Sequence, residues 1–262
     1  MKYSEVYQKL KQNQKIAFIP FTMLGFPDFD RSLSIIKSII DNGADILELG
    51  LPFSDPVADG PIIQEANTVA LNHGINTESC LKLLKKIREY SDIPLGLLVY
   101  GNLIYSYGIE KFYKTLGEMN INSVLIPDVP VEEIDEFLEE GKKNHVESVF
   151  IITPITPQDR MKKIITKTSG FIYLMSRLGV TGTHQQARRD LATVIAKIKS
   201  MTSLPVNVGF GISGAKDVGF LKQINADGAI IGSAIIKLIE EHHNDYLDTV
   251  LQQYLQTITA AR

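Results

Sequence analysis

A closed barrel of eight parallel strands ringed by helices, the (β/α)8 architecture, is the fold that the sequence predicts, on three observations. Short apolar runs recur eight times, each followed by a loop and an amphipathic stretch of helical period, the pattern of parallel βα units. Several runs are entered through the same kind of small or turn-forming cluster. Eight such units fill most of the 262 residues, as a single TIM barrel domain over 1–262 requires. An open doubly wound sheet is disfavoured, because no glycine-rich dinucleotide turn follows the first run.

The elements follow in chain order. Met1 to Gln14 sets Tyr3, Val6, Tyr7 and Leu10 at helical spacing, an extra N-terminal helix that covers the barrel bottom. Strands are expected at Ala17 to Phe21, Ile46 to Leu49, Pro94 to Tyr100 and Ser123 to Ile126. The second half supplies Ser148 to Ile152, Phe171 to Met175, Pro205 to Val208 and Ala229 to Ile231. Asn42-Gly43-Ala44-Asp45, Asn120-Ile121-Asn122 and Asn225-Ala226-Asp227-Gly228 each lead into a strand, their Asn and Gly supplying the left-handed residue that ends a helix. After the eighth strand a short helix runs from Ser233 to Ile239, and Asn244 to Thr259 forms the last outer helix.

Composition narrows the function. Lys and Arg total 27 against 30 Asp and Glu, a net charge of -3 without basic clusters, which argues against nucleic acid. No apolar run reaches the roughly 18 residues that span a bilayer, and the polar start lacks the apolar stretch of a signal peptide. A single cysteine, Cys80, excludes an internal disulfide. A cytoplasmic protein without membrane or nucleic-acid partners is expected. No second His or Cys stands at metal-ligand spacing from His184, so no metal site is expected.

Barrel chemistry belongs at the carboxyl ends of strands. There Glu48 lies between leucines, with Asp55 and Asp59 on the loop that follows. An ionised carboxylate among leucines on a strand costs several kcal/mol or more if buried unpaired, so Glu48 must face a cavity, a partner or a substrate. Pro52, Pro56 and Pro61 restrict the loop and reduce the entropy lost in ordering Asp55 and Asp59.

Two adjacent loops form a phosphate cradle. Gly209-Phe210-Gly211 follows the seventh strand, and Gly232-Ser233 opens a helix after the eighth. Glycines let backbone N–H groups approach a phosphate, and the helix start adds unpaired donors and partial positive charge. The polar connection after the sixth strand, 177–189, has the length of a lid that brings Thr181 onto a carboxylate and Gly182 onto the phosphate.

These motifs resemble those of the tryptophan synthase alpha chain family over nearly the whole chain. The resemblance is carried by Glu48-Leu49-Gly50, Pro52-Phe53-Ser54-Asp55-Pro56, Ala58-Asp59-Gly60-Pro61 and Pro127-Asp128-Val129-Pro130. Gly179-Val180-Thr181-Gly182, Gly209-Phe210-Gly211-Ile212 and Gly232-Ser233-Ala234 follow in family order. It implies retro-aldol cleavage of indole-3-glycerol phosphate to indole and glyceraldehyde 3-phosphate, with no cofactor in this chain. It also implies a beta chain carrying pyridoxal phosphate that receives the indole, in an alpha2beta2 assembly. By the same resemblance Glu48 shuttles the proton, Asp59 faces the indole nitrogen and Tyr173 stands beside the shuttle. Phe21, Tyr100, Leu125 and Phe210 line the indole pocket, Thr181 closes onto Asp59, and phosphate rests on Gly182, Gly211, Gly232 and Ser233. Asp55 and Asn102 face the beta chain. Phe26, Val69 and Leu103 depart from the residues common in the family. Another sugar-phosphate lyase or isomerase, a stand-alone indole-releasing lyase and an activator of a partner enzyme are the competing functions.

Overall fold

Eight parallel strands, each hydrogen-bonded to the next and the last to the first, close into a barrel in the computed structural model. It describes residues 1–176, 184–242 and 246–262, with only the backbone of 184–189. The strands are β1 (Ala17–Met23), β2 (Leu47–Gly50), β3 (Leu95–Leu98) and β4 (Ser123–Leu125), then β5 (Glu147–Ile152), β6 (Ile172–Met175), β7 (Val206–Gly209) and β8 (Gly228–Ile231). All eight expected strands are present, with no end shifted by more than two residues. The left-handed helix exits also stand where the turn chemistry put them, at Gly43, Asn120 and Asn225. Gln14 and His145 adopt the same conformation without the small or Asn residue that would have revealed it.

β1, β2 and β8 are buried along their whole length, as strands covered by helices outside and packed side chains inside must be. The N-terminal helix α1 (Tyr3–Gln12) lies against one end and buries Tyr3, Val6 and Leu10. Its tyrosines reach into the barrel. The Tyr3 hydroxyl hydrogen-bonds Ser123 Oγ of β4 at 2.7 Å, and Tyr7 Oη accepts from Asn207 Nδ2 of β7 at 2.5 Å.

Between β1 and β2 runs α2 (Phe29–Asp41), and the β2–β3 connection holds α3 (Pro61–Asn72) and α4 (Thr77–Tyr90). α3 starts with Gly60 as its cap and Pro61 in its first turn, where proline's fixed φ suits the helix and its missing N–H removes no helical hydrogen bond. β3 is followed by α5 (Gly101–Tyr107) and α6 (Ile109–Glu118), then α7 (Asp135–Lys143) and α8 (Gln158–Lys167) follow β4 and β5. α9 (His184–Lys199) begins inside the stretch 177–189 expected as a connection. Gln185, Gln186, Ala187 and Arg188 are good helix formers whose polarity gave them the look of a loop. Thr181 and Gly182 lie outside the described residues. α10 (Ala215–Gln223), α11 (Ser233–Glu241) and α12 (Tyr246–Ala261) complete the ring. Among the described residues no helix is long and apolar enough to cross a membrane.

Candidate active site

At the carboxyl end of the strands opens a cavity of about 310 Å³. It is lined by Glu48, Asp59 and Tyr173 and by Gly211, Gly232 and Ser233, with the Phe21 ring against Gly232. Glu48 reaches it because β2 pairs Glu48 with Phe21 of β1 and Gly96 of β3, turning its side chain to the barrel interior. It is 4% exposed. Among the described residues no group hydrogen-bonds its carboxyl. Burial, with the nearby Asp59 carboxylate second, pushes its pKa from 4.5 to about 8, so it holds a proton at neutral pH.

Asp59 is held differently. Its Oδ2 accepts from Asn67 Nδ2 at 3.3 Å and its carboxylate from the Tyr100 hydroxyl. Burial raises its pKa, and these two donors oppose the shift by favouring the charged form. Two carboxyls in one cavity are thus divided by environment. Glu48 has no donor among the described residues, and Asp59 has two.

Tyr173 on β6 is partly buried, and its hydroxyl lies over Gly209 of β7, where a Cβ would overlap it. Burial first, then the charges of Glu48 and Asp59, hold its pKa well above the ordinary phenol value, so it stays a neutral donor. At the cavity wall α11 starts at Ser233 immediately after Gly232, leaving N-terminal backbone N–H groups there. None of the described lining residues is Lys or Arg. Among the described residues no group of three or more His, Cys, Asp or Glu stands together as a metal site.

The sequence matches the family described as tryptophan synthase alpha chain over residues 7–261. The tryptophan synthase alpha chain of Methanothermobacter thermautotrophicus is 42% identical over 245 residues, 94% of this chain and 90% of that one. The chain belongs to the tryptophan synthase alpha chain family. Its structure superimposes on the alpha subunit from Legionella pneumophila with a TM-score of 0.91 at 29% identity, covering 100% of this chain and 98% of that one. A chain of the tryptophan synthase complex of Pyrococcus furiosus matches with a TM-score of 0.85 at 31% identity over 93% of this chain and 98% of that one. The chain is accordingly a carbon–carbon lyase of tryptophan biosynthesis that cleaves indole-3-glycerol phosphate.

The cavity brings together Phe21, Glu48, Asp59, Tyr173, Phe210, Gly211, Gly232 and Ser233 of the residues singled out from the sequence. Two others lie elsewhere. Leu125 is buried at the end of β4 between Leu98 and Val149, and the cavity does not reach it. Tyr100 also lies off the cavity wall. Its ring stacks on Phe53 at 5.0 Å beneath the 51–60 loop, and its hydroxyl accepts from Ala58 N at 3.1 Å while donating to Asp59. Pairing that hydroxyl with the loop draws the ring away from the pocket. Asp55 and Asn102 are exposed at the barrel mouth, and Ser54 Oγ donates to Asp55 Oδ2.

Sequence reasoning missed the apolar wall of Ile62, Ile63, Pro127, Ile151 and Met175. It also missed Asn67, a polar side chain only 1% exposed. Its Oδ1 accepts from Phe53 N at 2.8 Å, and its Nδ2 donates to Ile63 O and to Asp59. One amide therefore fastens both ends of the loop that carries Asp59. A signal was present, since Asn67 falls in the buried stripe of α3 with Ala66 and Ala70. Asn67→Ala is expected to cost about 1–3 kcal/mol by leaving the Phe53 N–H unpaired, read by equilibrium unfolding, and to lower kcat about tenfold. A wild-type kcat in a folded variant would separate Asn67 from the chemistry.

Proposed function

We propose that Glu48 carries out both proton transfers of the cleavage while Asp59 stabilises the charged ring. The observation that carries this reading is the division of the two carboxyls, one without hydrogen-bond donors and one with two. Protonated Glu48 gives its proton to the indole carbon that bears the glycerol phosphate chain. The ring nitrogen becomes electron-poor, and the Asp59 carboxylate at the N–H stabilises that charge in a site shielded from water. The Glu48 carboxylate then takes the proton of the adjacent hydroxyl. The carbon–carbon bond breaks, its electron pair returns to the ring, and glyceraldehyde 3-phosphate leaves with Glu48 protonated again.

Tyr173, a neutral donor beside Glu48, orients the reacting hydroxyl. The indole ring lies between Phe21 and the apolar wall, with Phe210 at the lip. Phosphate sits on the backbone N–H groups of Gly211 and Gly232 and on Ser233, supported by the helix start and the absence of competing side-chain bulk. Gly182 and Thr181 are assigned here by resemblance, to the phosphate and to closure onto Asp59.

The partner is a beta chain that receives the indole and supplies pyridoxal phosphate chemistry, in an alpha2beta2 assembly; this chain needs no cofactor of its own. Support comes from the mouth of the barrel. Val57 and Ile155 are 81% and 73% exposed on the loops after β2 and β5, and Asp55, Asn102 and Tyr105 lie on the same end. Apolar side chains among polar ones on one face suit a protein partner.

The test is indole release from indole-3-glycerol phosphate by wild type and Asp59→Asn, each with and without a beta chain. Release is expected to rise with the partner and to fall on the order of 10²-fold in Asp59→Asn, the size of a lost electrostatic contact to a developing charge. No release from wild type in either condition overturns the reading.

A further inference from the structure

The carbonyls at the end of β7 show how the phosphate side is positioned. β6 and β7 pair up to Met175 and Gly209, and Ser176 N extends the ladder by donating to Gly209 O at 2.9 Å. Beyond that point β7 leaves the sheet. Phe210 and Gly211 both take left-handed backbone conformations, with φ of 71° and 80°. Glycine adopts this freely, whereas a residue with a bulky side chain does so only where its surroundings hold it. What holds Phe210 is Ser176, whose Oγ donates to Phe210 O at 2.5 Å. Ser176 is 1% exposed, so its hydroxyl has no easy substitute in water. The phenyl ring contributes less to the restraint, being 48% exposed at the cavity lip.

We infer that Ser176 is a positioning residue for the phosphate, its hydroxyl continuing the β6–β7 ladder for one more step and thereby setting where the Gly211 amide stands. The inference rests on placing the substrate's phosphate on Gly211, Gly232 and Ser233. β6 carries Tyr173 three residues earlier, so one short segment holds both Tyr173 and the hydroxyl that fixes Phe210. Without the hydroxyl, Phe210 can relax from its left-handed conformation and the Gly211 N–H leaves the cradle. The contact is made equally with bound substrate and in the transition state, so its loss falls on KM.

Steady-state kinetics of Ser176→Ala and Ser176→Cys with indole-3-glycerol phosphate, and with indole glycerol lacking the phosphate, test this. For Ser176→Ala, KM for the phosphorylated substrate is expected to rise about tenfold with kcat retained, and inhibition by inorganic phosphate to weaken by the same factor. The phosphate-free substrate keeps its kcat/KM. Cys, close in size and a weaker donor, gives an intermediate rise and guards against misfolding of the Ala variant. Equal losses on both substrates would make Ser176 a general prop of the barrel and overturn the inference, as would an unchanged KM in both variants. If wild type itself fails to prefer the phosphorylated substrate and ignores inorganic phosphate, the phosphate assignment fails, and the inference with it.

Discussion

Glu48→Gln is expected to stop indole release almost completely while making the folded protein more stable. The two effects share one cause. Gln keeps the size and hydrogen-bonding shape of the protonated carboxyl and has no proton to exchange, so turnover falls by about 10²–10⁴ or more. The stability gain follows from linkage. Below pH 4.5 the carboxyl is neutral in both folded and unfolded chains and contributes nothing. Between 4.5 and about 8 the unfolded chain releases the proton and the folded one retains it. Stability therefore declines by about 1.4 kcal/mol per pH unit across that window, reaching about 3 kcal/mol at pH 7, and levels off above about 8. Gln removes the whole penalty. Chemical denaturation of both proteins at pH 5 and pH 7.5 checks it: the stability difference should widen with pH, and a constant difference would place Glu48 in solvent contact. In wild type, kcat/KM should fall above about pH 8 as Glu48 loses its proton.

Gly209→Ala should be nearly as damaging, although residue 209 carries no chemistry. A methyl group there occupies the position of the Tyr173 hydroxyl, and the neighbouring cavity gives the ring room to swing away. The barrel is expected to stay folded while kcat/KM drops on the order of 10², the usual result of misplacing an orienting group by about an ångström. An unaltered kcat/KM would show that Tyr173 has no part in positioning the substrate. Tyr173→Phe in the same assay separates loss of the hydroxyl from displacement of the ring.

Features governed by local chemistry were legible in the sequence. Asn120 and Asn225 end helices because their short side chains tolerate the left-handed region, and that preference holds wherever the helix lies. Glu48 stood out because a carboxylate between leucines must be explained. Features governed by long-range pairing were not legible. Tyr100 is an aromatic residue at a strand end, and only the fold shows the 51–60 loop lying across it to take its hydroxyl. Asn67 depends on Phe53, fourteen residues away, and Ser176 on Phe210, thirty-four away. Tyr100 and Ser176 find their partners in another βα unit, and Asn67 finds its own across the 51–60 loop. Ile62, Ile151 and Met175 are ordinary apolar residues in the sequence. They become a binding wall through the stagger of the strands and the seating of α3.

The helix α1 that covers the far end also governs traffic. Its two tyrosines tie the floor to β4 and β7, on widely separated sides of the ring, so the floor is fastened to the staves as well as resting against them. Among the described residues the cavity opens at the opposite rim, past Phe210 and the loop of Ala58 and Asp59, so a protein docked there would meet substrate, aldehyde and indole as they come and go.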